Sequence, residues 1–378
     1  MNGSRGVAAK TVLLHIGTAK TGTTSIQRWL KQSQANGSLG PVCYPLWQGD
    51  HNQQRLAMIY RPTEWMTEFL PTEPARFRRM RDRYRQFAFG ELCSATGAII
   101  SAEMLVWLPQ GRVRQLRSDL EGAGFRDFRV VLYVRDPADF YLSNTAQVLR
   151  NYQLPPLVED PASFRYDFLR VAETWDQVFP GLNVRRFAAD PHFDSIQDFA
   201  DLVERYLGVS PPRIPMRVNP TLSAEAMLIL HAYRSAFSPD NDGRITHDAA
   251  RLSWLLRQSG QSVAQTMPKL KPEVAEQVRA NHRADAEVLE SRFGIDLGWR
   301  DWGPAAALSR RQSYGVQDIV ESVNPDIVNQ LLLRVVREEL SRRPAKRSLP
   351  LRVAARAYHS IPAAHRPERL VAALRSLT

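Results

Sequence analysis

The 378-residue chain is poor in the features that would make it a secreted, metal-stapled or membrane-spanning protein. Its only cysteines, Cys43 and Cys93, are too few and too irregularly placed for a disulfide framework or a cysteine-built metal site. They are expected to be ordinary thiols of a reducing, cytoplasmic environment. No uninterrupted apolar run reaches the roughly 18 residues of a membrane span. The opening residues MNGSRGVAAK lack an apolar segment of the secretory kind, so no signal peptide is expected. Internal repeats and low-complexity stretches are also missing, which argues against a solenoid or a linker-rich chain.

Positive charge is abundant but unevenly placed. The net charge is +11. Residues 342–378 carry nine Arg or Lys (Arg342, Arg343, Lys346, Arg347, Arg352, Arg356, Arg366, Arg369 and Arg375) against one acid, Glu368, and so account for +8 of it. Prolines at 344, 350, 362 and 367 break this tail into short pieces. A solvated basic tail is the favoured reading, and peripheral contact with an anionic membrane face is the alternative. The basic residues are not interleaved with aromatics in a nucleic-acid module, so no nucleic-acid partner is expected.

The periodicity predicts strands at 12–16, 97–101, 128–134 and 183–188. Helices are predicted at 23–35, 74–94, 110–122, 137–150, 162–178 and 194–207, with an irregular stretch from the first helix to residue 62. After Pro220 the pattern turns helical, at 222–237, 246–258, 272–292 and 316–341. Alternating strands and helices imply an α/β fold, a central parallel sheet with crossover helices, followed by a mostly helical C-terminal part. One α/β domain is expected over 1–300, with a basic helical extension over 301–378. Ligands of such sheets bind beyond the carboxyl ends of the strands.

Residues 11–24, TVLLHIGTAKTGTT, hold the most informative pattern. A buried strand breaks into a turn rich in Gly, Lys and Thr and then into the helix-compatible SIQRWL. Gly17 and Gly22 permit a sharp turn, helix amides then face an anion, and Lys20 adds a full positive charge. Thr21, Thr23, Thr24 and Ser25 add hydroxyl donors. The nucleoside-triphosphate P-loop requires the lysine to follow its second glycine, whereas Lys20 precedes Gly22 by two residues.

The string Lys-Thr-Gly-Thr-Thr after a strand resembles the 5′-phosphosulfate loop of the PAPS-dependent sulfotransferases. A second segment, FRVVLYVRDPADFYLS at 128–143, is similar to that family's strand followed by Arg-Asp-Pro and, eight residues after the arginine, a serine. In the family this pair, here Arg135 and Ser143, holds the 3′-phosphate, a task that suits the bidentate guanidinium. The later stretch RRFAADPHFDSIQDFADLVERYLGV is also similar to bacterial, carbohydrate-type members. The resemblance spans about residues 11–300 and implies a P-loop-like three-layer fold.

It also implies that PAPS donates a sulfuryl group to a hydroxyl of a carbohydrate or glycolipid, without a bound metal. Lys20 would stabilise charge on the departing 5′-phosphate, helped by Thr23, Thr24 and the loop amides. Two residues compete as general base: Glu103, which follows the strand GAIIS, and His51, in YPLWQGDHNQQRLA. Trp47, Trp65 and Trp107 are candidate walls for a sugar acceptor, or core residues. A nucleotide-dependent kinase and a non-catalytic nucleotide-binding homologue are the alternative readings.

Overall fold

The computed structural model describes residues 9–47, 49–50, 52–61, 74–150, 157–188, 193–216, 222–237, 247–259, 266–306, 308, 311 and 313–340. They group into two compact units that interleave along the chain. The first takes Met1–Asp136, Tyr166–Val218 and Arg283–Arg300; the second takes Pro137–Arg165, Asn219–His282 and Asp301–Thr378. The sequence reading divides the chain once, after residue 300. Residues 301–340 include two helices that pack with earlier helices of the second unit, while 341–378, with the whole basic tail, lie outside the described residues.

The first unit is built on a five-stranded, all-parallel sheet: β1 (Lys10–His15), β2 (Val42–Cys43), β3 (Gly97–Ser101), β4 (Phe125–Arg135) and β5 (Asn183–Phe187), in the spatial order β2-β3-β1-β4-β5. β1 is central because it is apolar on both faces; Val12, Leu13 and Leu14 have no solvent exposure. Its neighbours β3 and β4 pair with it in parallel, so the loops after all three leave from the same end of the sheet.

Helices cover both faces. α1 (Thr23–Ala35) buries Ile26, Trp29, Leu30 and Ser33, the spacing of one helical face. With α7 (Ser195–Leu207) it covers one side of the sheet, where Ile26, Trp29, Ile196, Phe199 and Val203 meet Leu13, Ile99, Val131 and Tyr133. α7 is sharply delimited. The Asp194 side chain accepts hydrogen bonds from the Ile196 and Gln197 amides, and Gly208 closes the other end at φ 67°. α2 (Gln54–Tyr60), α3 (Pro74–Ser94), α4 (Gln110–Gly122), α6 (Phe168–Asp176) and α11 (Arg283–Phe293) also belong to this unit.

The second unit is helical: α5 (Pro137–Arg150), α8 (Ala224–Phe237), α9 (His247–Ser259), α10 (Pro272–Asn281), α12 (Val316–Ile319) and α13 (Pro325–Leu340). Buried Arg234 donates from Nη1 to the Val148 and Leu149 carbonyls, at 2.7 and 3.0 Å, and so satisfies the end of α5. The buried Glu225 carboxylate receives the backbone amides of Thr266 and Asn324, at 3.3 and 3.2 Å.

Four sequence expectations change. The helix expected at 162–178 is shorter, Phe168–Asp176, preceded by turns and extended chain. The helix expected at 272–292 is two helices broken at His282. The one expected at 316–341 is interrupted at 320–324, because Pro325 opens a new helix whose Asp326 amide is capped by Asn324 Oδ1 at 2.9 Å. The stretch expected to be irregular through residue 62 contains β2 and α2. Among the described residues, no helix is long and apolar enough to cross a membrane.

Candidate functional site

The β1–β4 ladder runs past the end of β1 into the glycine-rich turn. The Tyr133 amide donates to the Gly17 carbonyl at 2.7 Å, and the Thr18 amide donates to the Tyr133 carbonyl at 3.0 Å. Beyond this anchor the backbone enters left-handed conformations at Lys20 (φ 66°) and Gly22 (φ 74°). For Lys20 that conformation costs about 1–2 kcal/mol, which its surroundings must offset. Two bonds do so: the Thr21 hydroxyl donates to the Thr18 carbonyl at 2.6 Å, and Arg135 Nη1 donates to the Lys20 carbonyl at 3.1 Å. Arg135, at the end of β4, also lies 5.4 Å from the Phe187 ring centroid.

Gly22 closes the turn as the cap residue of α1. It has no side chain to offer, and the first turn of α1 contains no acidic residue. The Ser25 and Ile26 amides both return to the Gly22 carbonyl; the Thr23 and Thr24 amides, as the first of the helix, have no intrahelical acceptor and no hydrogen-bond partner among the described residues. A 13-residue helix thus presents its amino end, with the positive end of its dipole, beside Lys20. Nothing larger than glycine fits at residue 22, because a Cβ there would lie 2.4 Å from Ser195 Oγ.

Glu103 enters from β3. Gly17 allows the approach, since a Cβ at residue 17 would stand 3.3 Å from the Glu103 Cα. The carboxylate bridges two elements: Oε2 accepts from the Thr23 hydroxyl at 2.7 Å, and Oε1 accepts from Gln54 Nε2 at 3.3 Å. Tyr166 is near enough to feel its charge; burial, and secondarily Glu103, hold the phenol above its ordinary range. At the far end of the short helix Glu103–Trp107, Trp107 is exposed and meets Tyr166 edge-on at 5.9 Å.

The structure therefore brings Lys20, Thr21, Gly22, Thr23, Thr24, Ser25, Arg135 and Glu103 to the carboxyl ends of the three central strands. Thr21 serves the loop's own shape. No family model, no curated protein and no solved structure matches the chain. What the site can do rests on its own residues.

Ser143 lies on α5, in the second unit, and His51 and Trp65 lie outside the described residues. Trp47 packs against Tyr84 and Phe87 of α3, at 5.9 and 5.3 Å.

Several contributors carry no sequence signal. Gln54 carries no motif, and only the fold brings it to Glu103. Its neighbour Gln53 is fully buried and pins this segment to β3, accepting from the Ser101 amide at 2.6 Å and donating to the Pro45 carbonyl at 3.0 Å. Directly beneath the loop, His15 is fully buried, its Nδ1 2.8 Å from Ser101 Oγ and its ring against Tyr133 and Phe199. Burial pushes its pKa down to about 3. It is a neutral packing residue at ordinary pH, not an exchangeable base.

Proposed function

We propose that the chain is a PAPS-dependent O-sulfotransferase of P-loop-like fold that modifies a hydroxyl of a carbohydrate or glycolipid. The observation that carries this reading is the pairing of Lys20 and an uncapped helix amino end with a carboxylate, Glu103, held at the same turn. An anion-binding cradle alone would suit any phosphate ligand. A carboxylate fixed beside it adds a proton acceptor for an attacking hydroxyl.

The donor set fits the group. PAPS would supply an activated sulfuryl on a 5′-phosphate. The α1 amides and Lys20 bind that phosphate and neutralise charge that builds on it, with donors already aimed before reaction. Glu103 takes the acceptor proton and Gln54 orients its second oxygen. Arg135, which donates to the Lys20 carbonyl at the same turn, is assigned the 3′-phosphate, a group that suits its guanidinium.

Calorimetric titration with PAP, ADP and ATP tests the reading, on the native protein and on Arg135→Ala, with melting temperatures recorded for both. Preference for PAP, lost in a variant that still melts normally, supports it. ATP binding as tight as PAP, indifferent to Arg135, would reject it in favour of a kinase.

A further inference from the structure

The first unit carries a second basic feature, remote in sequence from the loop. α3 (Pro74–Ser94) reads PARFRRMRDRYRQFAFGELCS and holds six arginines between residues 76 and 85. Its buried side is narrow: Phe77, Tyr84, Ala88 and Leu92. Arg81 and Arg85 have acidic partners, Asp82 at 3.9 Å and Asp119 at 2.5 Å. Arg76, Arg78, Arg79 and Arg83 are exposed and make no ion pair among the described residues.

Arg76, Arg79 and Arg83 fall at helical spacings of three and four, so they form one stripe rising about 10 Å along the axis. Like charges at that spacing repel and weaken the helix that carries them. A polyanion laid along the stripe would remove the repulsion. Beside it, Arg79, Asp82, Arg83, Arg85, Gln86 and Phe89 line a cleft of about 560 Å³. The Arg85 guanidinium, already paired with Asp119, lies 5.5 Å from the Phe89 ring centroid, so among the described residues the cleft's unpaired positive charge comes from Arg79 and Arg83.

This surface is joined to the candidate site through one packed layer. The inner side of α3 meets Trp47 through Tyr84 and Phe87. α2 packs against α3 and against the short helix that begins at Glu103, and its first residue is Gln54.

We propose that the Arg76/Arg79/Arg83 stripe of α3 is a docking surface for an anionic polysaccharide, a chain whose carboxylate or sulfate groups pair with the guanidinium forks. The choice of polysaccharide over another polyanion rests on the hydroxyl-transfer reading of the Glu103 site. The charge complementarity does not.

The experiment compares the full chain with its Arg76→Gln/Arg79→Gln/Arg83→Gln variant for binding of alginate, dextran and duplex DNA at low and moderate salt. PAP binding and melting temperature are measured alongside. The expected result is salt-sensitive alginate binding, weakened at least tenfold in the variant, with no dextran binding and with PAP affinity and melting temperature unchanged or raised. Alginate affinity unchanged by the substitutions would overturn the proposal and place binding on the basic tail. So would a lower melting temperature without lost affinity, which would mean the stripe is neutralised within the chain. Tighter binding of DNA than of alginate, lost in the variant, would make the surface a nucleic-acid site and equally reject it. Lost PAP recognition in a protein that still binds alginate through the stripe would remove the sulfotransferase reading and leave the surface standing.

Discussion

The Thr23 hydroxyl donates to Glu103 Oε2 across 2.7 Å, joining the first residue of α1 to the first residue of the helix after β3. The carboxylate is thereby fixed at the loop while Gln54 holds its other oxygen. If Glu103 takes the acceptor proton, Glu103→Gln lowers PAP release in the presence of acceptor by about 10²–10⁴-fold. PAP affinity changes by less than threefold. Thr23→Val, which loses only the orienting bond, falls by roughly tenfold, about 1.4 kcal/mol. Equal loss of PAP affinity in both variants would instead make Glu103 a structural brace of the loop.

Gly22→Ala tests the turn. Residue 22 has φ 74° and no space for a Cβ beside Ser195. The substitution is expected to cost about 1–3 kcal/mol. It should lower the melting temperature and weaken PAP binding, whereas Gly37→Ala, with nothing within 4 Å of its Cβ but a similar φ of 75°, should spare binding. Unimpaired PAP binding by Gly22→Ala would separate the turn from the nucleotide.

Stability should depend on pH through His15. The unfolded chain protonates this residue below about 6.5, while burial holds the folded-state pKa near 3. Between these values the unfolded state binds the extra proton, so stability falls as pH drops, by up to about 1.4 kcal/mol per pH unit from this residue. Denaturant unfolding at pH 7, 6 and 5 should show a shallower loss for His15→Gln than for the native chain. Parallel curves would show that other groups carry the acid sensitivity.

Asp194→Ala removes the acceptor for the Ile196 and Gln197 amides. The expected cost is about 1 kcal/mol, read from the denaturation midpoint. Because α7 begins at Ser195, which abuts Gly22, PAP affinity should fall as well.

Legibility of the fold followed local determination. β3 and helices α1, α4 and α5 have the bounds the periodicity predicts, because each is a short periodic run bracketed by Gly, Pro or polar turns. The glycine turn after β1 is legible for the same reason at Gly17 and Gly22, whose positive φ suits glycine, whereas the left-handed Lys20 between them is held by its surroundings and carries no such local signal. The breaks at His282 and Pro325 were not legible, although Asn324-Pro325-Asp326 is a helix-start signal set within an otherwise helical pattern. Gln54 and Tyr166 reach Glu103 only through the packing of distant segments. The Arg135 bond to the Lys20 carbonyl likewise spans 115 residues and leaves no local trace.

The interleaving of the two units bears on how the chain is made. The helix Arg283–Phe293 belongs with the sheet begun at Lys10, so the sheet-bearing unit lacks its last piece until most of the chain has left the ribosome. During synthesis its partner face waits while Asn219–His282, destined for the other unit, emerges first. Such order-crossed connectivity raises the contact order and favours late, concerted completion over piecewise maturation.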